Sequence, residues 1–174
     1  MADFLKVDEV LNYLTIKEDM TAAEFGCGSA DFTIALAKRL RNGKVYALDI
    51  QEEKLSFLKS KIALEKLNNV FTILGDLEEA HGSTLENNSQ DIVLIPNVLF
   101  QAENKYAIME EATRVLKSGG QLLVADWLKK VPFRPKDSLV SPDEVKKMAD
   151  SLGFDLKKEL AAGDYHYVLL FNKK

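Results

Sequence analysis

The fold of this chain depends on residues 20–31, which read MTAAEFGCGSAD. Small and apolar residues lead to Glu24, Gly26 and Gly28 follow it, and a helical pattern starts at Asp31. This order predicts a buried strand, a tight turn and a helix N-terminus, because a residue without Cβ lets the backbone turn sharply and approach a ligand closely. The free N–H groups at a helix start favour a polar or anionic ligand group at that turn.

Apolar runs downstream continue an alternation of strands and helices. The predicted strands are Thr21–Phe25, Lys44–Leu48, Val70–Leu74, Asp91–Ile95, Gln121–Ala125, Phe154–Leu160 and Tyr165–Phe171. The predicted helices of the core are Asp31–Leu40, Glu52–Lys66, Asn104–Leu116 and, capped by Ser141, Pro142–Leu152. Only a few residues join the last two strands, which indicates an antiparallel hairpin. The chain is therefore predicted to be an α/β protein, with a doubly wound, mostly parallel seven-stranded sheet, a C-terminal antiparallel hairpin and helices on both faces.

Three connections carry more specific expectations. Ser29 or Asp31 is expected to cap the first core helix, since both residue types favour that position. The polar segment Leu77–Gln90 is expected to form a short helical turn followed by a loop. Lys117–Gly120 is expected to turn the chain before the fifth strand.

The 174 residues are interpreted as one domain, with a helical lead over 1–19 and a core over 20–174. Val7, Val10, Leu11 and Leu14 recur at helical spacing, which predicts one short amphipathic helix in the lead. Two interpretations of that helix stay open. It packs on the edge of the sheet, or it forms a partial lid that brings Phe4 and Leu5 near a substrate.

Composition narrows the classes of protein to which the chain can belong. The net charge of −4 argues against a large nucleic-acid footprint. The single cysteine rules out an intramolecular disulfide and a Cys-rich metal site, and the two histidines, His81 and His166, lack ligand spacing, so no metal is expected. The sequence contains neither a run of 18 apolar residues nor a signal pattern, so we expect a soluble cytoplasmic protein without a membrane span.

The glycine turn alone is compatible with a dinucleotide-binding dehydrogenase. Gly26 and Gly28 followed by Asp49 match part of that fingerprint. The position of the third glycine is occupied by Asp31, however, whose carboxylate would meet a pyrophosphate. The chain is also short for the second nucleotide half or substrate domain that a dehydrogenase needs, so this interpretation is disfavoured.

Over nearly its whole length, the chain resembles the class I S-adenosylmethionine-dependent methyltransferases. The matching segments are Glu24–Ala30, Asp49 after the second strand, Asp76 after the third, Asp91–Leu99 and Arg114–Gly120. Each match alone is weak, but all five in order at fitting spacing are specific. Among subfamilies, the resemblance is closest to the ubiquinone/menaquinone-biosynthesis-like and type 11 small-molecule methyltransferases. One departure is Ala30, which stands where the family has a third glycine.

The resemblance implies S-adenosylmethionine as the cofactor. Asp49 would accept hydrogen bonds from both ribose hydroxyls, and Asp76 would accept from the adenine amine. Leu77 would donate its backbone N–H to a ring nitrogen, while Glu24 and the glycine turn would address the methionine end. The full set of implied cofactor-binding residues is Glu24, Phe25, Gly26, Gly28, Asp49, Ile50, Asp76, Leu77 and Asn97. Cys27, between the glycines, is interpreted as a buried inert thiol.

The acceptor side is inferred from the C-terminal strands. In this fold the last strand runs antiparallel beside strand five, which brings Tyr165, His166 and Tyr167 toward Asp126 and Trp127. A pair of His166 with Asp126 would suit acid–base catalysis. His166, Asp126 and Tyr165 are therefore the candidate catalytic residues, with a purely structural histidine as the alternative.

Three functional hypotheses follow from these assignments. The first is methyl transfer to a small-molecule acceptor. The second is methylation of RNA or protein, which a basic strip of Lys129, Lys130, Arg134 and Lys136 would support. The third is a non-catalytic module that binds S-adenosylmethionine. Little of the chain is left to cover a substrate, so the pocket is expected to be shallow or completed by a second subunit in a homodimer.

Overall fold

A computed structural model describes residues 5–128 and 139–174 of the chain. Seven strands form one sheet in the order β3-β2-β1-β4-β5-β7-β6. They are β1 (Thr21–Phe25), β2 (Lys44–Asp49), β3 (Val70–Leu74), β4 (Gln90–Pro96), β5 (Leu116–Trp127), β6 (Phe154–Ala162) and β7 (His166–Lys173). Neighbours among β1 to β5 are parallel, whereas β7 lies antiparallel to both β5 and β6. The predicted seven-stranded sheet with its C-terminal antiparallel hairpin is confirmed.

The helices cover both faces of the sheet, as predicted. They are α1 (Val7–Leu11), α2 (Asp31–Arg39), α3 (Glu52–Leu64), a 3₁₀ turn (Leu99–Gln101), α4 (Lys105–Val115) and α5 (Pro142–Ser151). Successive residues of β4 point to opposite faces. Ile92 and Leu94 pack in the core that includes α1 and α2, while Val93 and Ile95 pack in the core that includes α4 and α5. None of these helices, within the described residues, combines the length and apolar character needed to cross a membrane.

The lead helix α1 belongs to the core. Val10 and Leu11 are buried and pack in one cluster with Phe32 and Leu36 of α2. The predicted amphipathic helix is thus confirmed, and its apolar side contributes to the packing around α2.

Two predicted connections differ from the structure. β5 begins at Leu116 because Leu116 pairs with Gln90, and the register then shifts so that Ile92 pairs with Gln121. The expected turn at residues 117–120 is therefore a bulge inside a strand. Residues 77–89 form hydrogen-bonded turns and no helix.

The expected cap of α2 was also wrong. The N-cap position is occupied by Ala30, which has the left-handed φ of 70° and makes no side-chain cap hydrogen bond. Ser29 precedes the N-cap position, and its Oγ donates to Oδ2 of Asp31 at 2.8 Å. By contrast, Ser141 caps α5 as predicted and forms a capping box with Glu144.

Candidate active site

A cleft of about 570 Å³ opens at the carboxyl edge of the sheet. It lies where β1 and β4 adjoin. The connections that follow these two strands lead to opposite faces of the sheet, and the crevice between such connections is the usual ligand site of an open α/β fold. The residues predicted for the site that line it are Glu24, Gly26, Gly28, Asp49, Asn97 and His166. Residues distant in sequence therefore converge on one cleft.

The two glycines of the turn serve different purposes. Gly26 has a φ of +82°, and a Cβ there would overlap Cγ2 of Val98. Gly28 also has a positive φ, of +41°, but a Cβ there would meet no atom within 4 Å. Gly26 is therefore required by packing, whereas Gly28 leaves open space on the cleft side of the turn.

Glu24 lies at the floor of the cleft and is 1% exposed. Its carboxylate accepts a hydrogen bond from Oγ1 of Thr33 on α2. The pKa of Glu24 is raised to about 8, mainly by burial and to a smaller extent by the negative charges of Asp31 and Asp49, against the lowering effect of the Thr33 hydrogen bond. A cationic ligand group beside Glu24 would favour its ionised form.

Asp49 ends β2 at the wall of the cleft. Its Oδ2 accepts from the backbone N–H of Gly28 at 3.2 Å, and its Oδ1 accepts from the backbone N–H of Gln51 at 3.0 Å. Cys27 Sγ lies 3.8 Å from the same Oδ2, and burial raises the pKa of the Cys27 thiol to about 12. Such a thiol is unreactive at neutral pH, as expected from the sequence.

Four residues of the implied cofactor set do not line the cleft. Phe25 and Leu77 are buried in the apolar core, and Ile50 is 62% exposed. Asp76 follows β3 next to the end of β2, where the N–H of Gly75 donates to the backbone oxygen of Asp49 at 3.2 Å. Asp76 thus belongs to the same edge of the sheet as Asp49, beyond the cleft itself.

The C-terminal strands separate the predicted catalytic pair. In the antiparallel register Trp127 opposes His166, and Asp126 opposes Tyr167. Paired residues share a face and successive residues alternate, so His166 and Asp126 point to opposite faces of the sheet. The register therefore places the two members of the predicted acid–base pair on opposite faces.

His166 lines the cleft together with Trp127. Their ring centroids are 4.1 Å apart and the ring planes are inclined by 39°. His166 is 2% exposed. These two rings, with Phe100 from the 3₁₀ turn, form a partly aromatic end of the cleft.

Asp126 and the two tyrosines lie elsewhere. Asp126 accepts from the backbone N–H of Phe100 at 3.1 Å, and burial raises its pKa to about 6. Tyr167 is buried on the same face, where its hydroxyl donates to the backbone oxygen of Val140 at 3.1 Å. Tyr165 is partly exposed and accepts, through its backbone oxygen, from the N–H of Leu128 at 2.8 Å. Among the three candidate catalytic residues, His166 is the one that lines the cleft.

Several lining residues were not anticipated from the sequence. They include Gln51, Lys54, Phe100 and Gln101, and the buried Thr33 behind Glu24 was missed as well. Leu5 and Val7 of the lead also line the cleft, whereas Val10 and Leu11 pack in the core. A lid role for the lead stays a prediction. Phe4 and the basic strip of Lys129, Lys130, Arg134 and Lys136 lie outside the described residues.

Comparison with known proteins assigns the family. A family model described as a methyltransferase domain matches residues 16–164. The chain belongs to this family. Demethylmenaquinone methyltransferases of Bacillus mycoides and Bacillus cereus are each 34% identical to it over 116 residues, which is 66% of this chain and 48% of the relative. The chain thus spans about half the length of the curated relatives that it matches.

Solved structures show the same fold. A SAM-dependent methyltransferase from Aquifex aeolicus superposes with a TM-score of 0.87 at 24% identity and covers 98% of this chain and 90% of its own. A type 11 methyltransferase from Sulfolobus solfataricus gives 0.78 at 22% identity and covers 98% and 93%. The [4+2]-cyclase SpnF gives 0.84 at 12% identity, with 96% and 79% covered, so this fold does not by itself specify the reaction.

Proposed function

We propose that this chain transfers a methyl group from S-adenosylmethionine to a small-molecule acceptor. The observation that carries the proposal is the convergence of Glu24, the glycine turn and Asp49 on one cleft, in a chain of the methyltransferase domain family. A carboxylate only accepts hydrogen bonds, which suits the ammonium group and the ribose hydroxyls of the cofactor.

The residues of the cleft fit this cofactor. Glu24, buried beside an open glycine turn, would bind the positively charged amino group of the methionine end. Asp49 would accept from the ribose hydroxyls, and Asp76, one strand further out, would accept from the adenine amine. When bound, S-adenosylmethionine supplies an electrophilic methyl group on a positively charged sulfur.

The acceptor is proposed to be a flat aromatic molecule of the quinol type. Trp127, Phe100 and Leu5 all line the cleft, and aromatic rings favour stacking with a planar, largely apolar ligand. The name of the curated relatives, demethylmenaquinone methyltransferase, supports the same class of acceptor. His166, beside Trp127, would take up the proton that the acceptor's hydroxyl group loses.

Titration calorimetry with S-adenosylmethionine, S-adenosylhomocysteine and NAD tests the cofactor. Micromolar binding of the first two ligands and none of NAD is expected. The Asp49→Asn variant should bind at least about tenfold more weakly, because a charge-assisted hydrogen bond contributes roughly 1.5–3 kcal/mol. Asp155→Asn, an exposed acid on β6, is the matched control and should bind like the wild type. Absence of binding to both sulfur ligands would contradict the proposal.

A transfer assay tests the acceptor. The protein is incubated with methyl-labelled S-adenosylmethionine and, separately, with a reduced naphthoquinone lacking a ring methyl group, simple phenols, RNA and unrelated protein. Label is expected in the naphthoquinol. Label in RNA or protein alone would contradict a small-molecule acceptor, and would favour the second hypothesis drawn from the sequence.

A further inference from the structure

The loop that carries Asp76 is tied to helix α4 at two points. This β3–β4 loop covers residues 75–89. At the N-terminus of α4, the carboxylate of Glu78 accepts from the backbone N–H groups of Glu103 at 3.2 Å and Asn104 at 2.5 Å. Glu78 thereby holds the first part of the loop against the segment that leads into α4.

The second tie is an ion pair on the C-terminal half of α4, in which Glu111 is buried and Arg114 is partly buried. Arg114 donates to both carboxylate oxygens of Glu111, from Nε at 2.8 Å and from Nη2 at 2.7 Å. Oε1 of Glu111 also accepts from the backbone N–H of Ser83 at 3.0 Å and from its hydroxyl at 2.5 Å. Arg114 extends the tie by donating to Oδ1 of Asn87 at 2.6 Å.

Between the two ties the loop is closed upon itself. A Cβ at Gly75 would overlap the backbone oxygen of Gly82, and a Cβ at Gly82 would overlap the backbone oxygen of Asp76. Asp76 Oδ1 accepts from the N–H of Glu78 at 2.9 Å, which orients the carboxylate. The direction of the Asp76 side chain thus depends on contacts that lead back to α4.

Glu111 is a charged residue among apolar ones on the buried side of α4. Glu111 is 5% exposed, on a helix whose other buried residues are the apolar Ile108, Met109, Ala112 and Val115. Replacing a buried ion pair by apolar residues of similar volume is often neutral or stabilising, so stability alone does not explain a buried carboxylate at this position. A Glu–Arg pair offers what apolar residues cannot, namely directional hydrogen bonds to Ser83 and Asn87.

We propose that Glu111 and Arg114, together with Glu78, are positioning residues that hold the β3–β4 loop so that Asp76 meets the exocyclic amine of the cofactor's adenine, and thereby set the selectivity for that base. The inference rests on the proposed function, because it needs an adenine-containing cofactor. It extends that function by naming residues outside the cleft that control which base the site accepts.

Selectivity is measured with two ligands that differ only at the base. S-inosylhomocysteine has a carbonyl oxygen where S-adenosylhomocysteine has the amine, and this oxygen would face the Asp76 carboxylate. The wild type is expected to prefer S-adenosylhomocysteine by about tenfold or more in Kd, since one hydrogen bond to a charged group is lost. The double variant Glu111→Leu with Arg114→Met keeps apolar groups of similar volume on α4 and removes the second tie.

In the double variant the ratio of the two dissociation constants is expected to fall to about threefold or less, mostly through weaker binding of S-adenosylhomocysteine. A second variant, Glu78→Ala, breaks the first tie without exposing a buried charge, and it decides the question if the double variant does not fold. Glu79→Ala is its matched control and should keep the wild-type ratio, because Glu79 takes part in the loop through its backbone.

The outcomes separate the two proposals. A lower melting temperature with an unchanged ratio in both the double variant and Glu78→Ala would overturn the positioning role and leave a purely structural one. Equal binding of the two ligands by the wild type would overturn it as well. If the wild type binds neither ligand, the proposed function itself fails.

Discussion

Buried near the end of β1, Glu24 holds its proton at pH values at which an exposed glutamate is ionised. Its pKa is raised from 4.5 to about 8 by burial. The folded state therefore binds this proton more tightly than the unfolded chain does, and the contribution to stability is full below about pH 4.5 and is lost as the pH rises through 8.

We expect the free energy of unfolding of the wild type to decrease between about pH 5 and pH 8. In Glu24→Gln this decrease should be smaller by roughly 2–4 kcal/mol, because the amide has no proton to lose. Urea denaturation at intervals of one pH unit measures the effect. Asp126, whose pKa is about 6, stays in both proteins, so the difference between the two curves isolates Glu24. Parallel curves for the two proteins would contradict the assignment.

Ala30 combines a left-handed backbone with a buried methyl group. Ala30→Gly relieves about 1–2 kcal/mol of backbone strain. It also loses the burial of one methyl group, about 0.8 kcal/mol, and glycine gives the unfolded chain more conformational freedom. We expect stability to change by less than about 1 kcal/mol. Ala30→Val should destabilise by more than about 2 kcal/mol, because a β-branched residue fits neither this φ nor this space. Guanidinium denaturation of both variants tests this, and a well-tolerated valine would refute it.

His166 is the remaining candidate for proton transfer. We expect His166→Gln to lower kcat about 100-fold, while the Kd of S-adenosylmethionine changes less than about twofold. Steady-state kinetics on the acceptor identified by the transfer assay, with calorimetry for the cofactor, separates the two effects. His81→Gln, at the chain's other histidine, serves as the control. Unchanged turnover in His166→Gln would leave His166 a structural residue.

At the scale of elements, the last strand stabilises the end of a helix. Lys173 on β7 donates from Nζ to the backbone oxygens of Thr113 and Leu116, both at 2.7 Å. These oxygens lie at the C-terminus of α4, where carbonyl groups lack partners within the helix and a positive charge is favourable. The ammonium group thereby connects the antiparallel hairpin to the helix on its face of the sheet.

Lys173→Met is therefore expected to lower the free energy of unfolding by about 1–3 kcal/mol, because it leaves two carbonyl groups without a charged donor. The neighbouring Lys174→Met is the matched control. Lys174 forms an exposed ion pair with Asp155 at 3.3 Å, and its loss should cost less than about 0.5 kcal/mol. Equal effects of the two substitutions in thermal denaturation would refute the capping role of Lys173.

At the scale of the whole molecule, ligand binding and folding are linked through Glu24. A ligand present at 100 times its Kd raises the free energy of unfolding by about 2.7 kcal/mol. The amino group of S-adenosylhomocysteine would be bound best by ionised Glu24, whose fraction grows toward pH 8. We expect the rise in melting temperature at a fixed ligand concentration to be larger at pH 8 than at pH 6, and to be independent of pH in Glu24→Gln. A pH-independent rise in the wild type would contradict this linkage.

The sequence predicts the elements of the fold whose ends are marked by a local pattern of apolar and turn residues. The bounds of β1 and β3 agree with the sequence to the residue, because a short apolar run between turn residues is a local signal. The start of β5 was not predictable, since it depends on the pairing of Leu116 with Gln90, which are 26 positions apart. The single domain and the homodimer stay predictions.

By itself, the sequence determined the order of strands and helices, the glycine turn at Gly26 and Gly28, and the carboxylates at the ends of β1 and β2. These features follow from hydrophobic period, turn chemistry and spacing, which are properties of neighbouring residues. Only the tertiary structure decided that His166 faces the cleft while Asp126 faces away, and that Glu111 and Arg114 on α4 hold the loop of Asp76. Strand register and contacts between distant segments determine which side chains meet, and no local pattern encodes them.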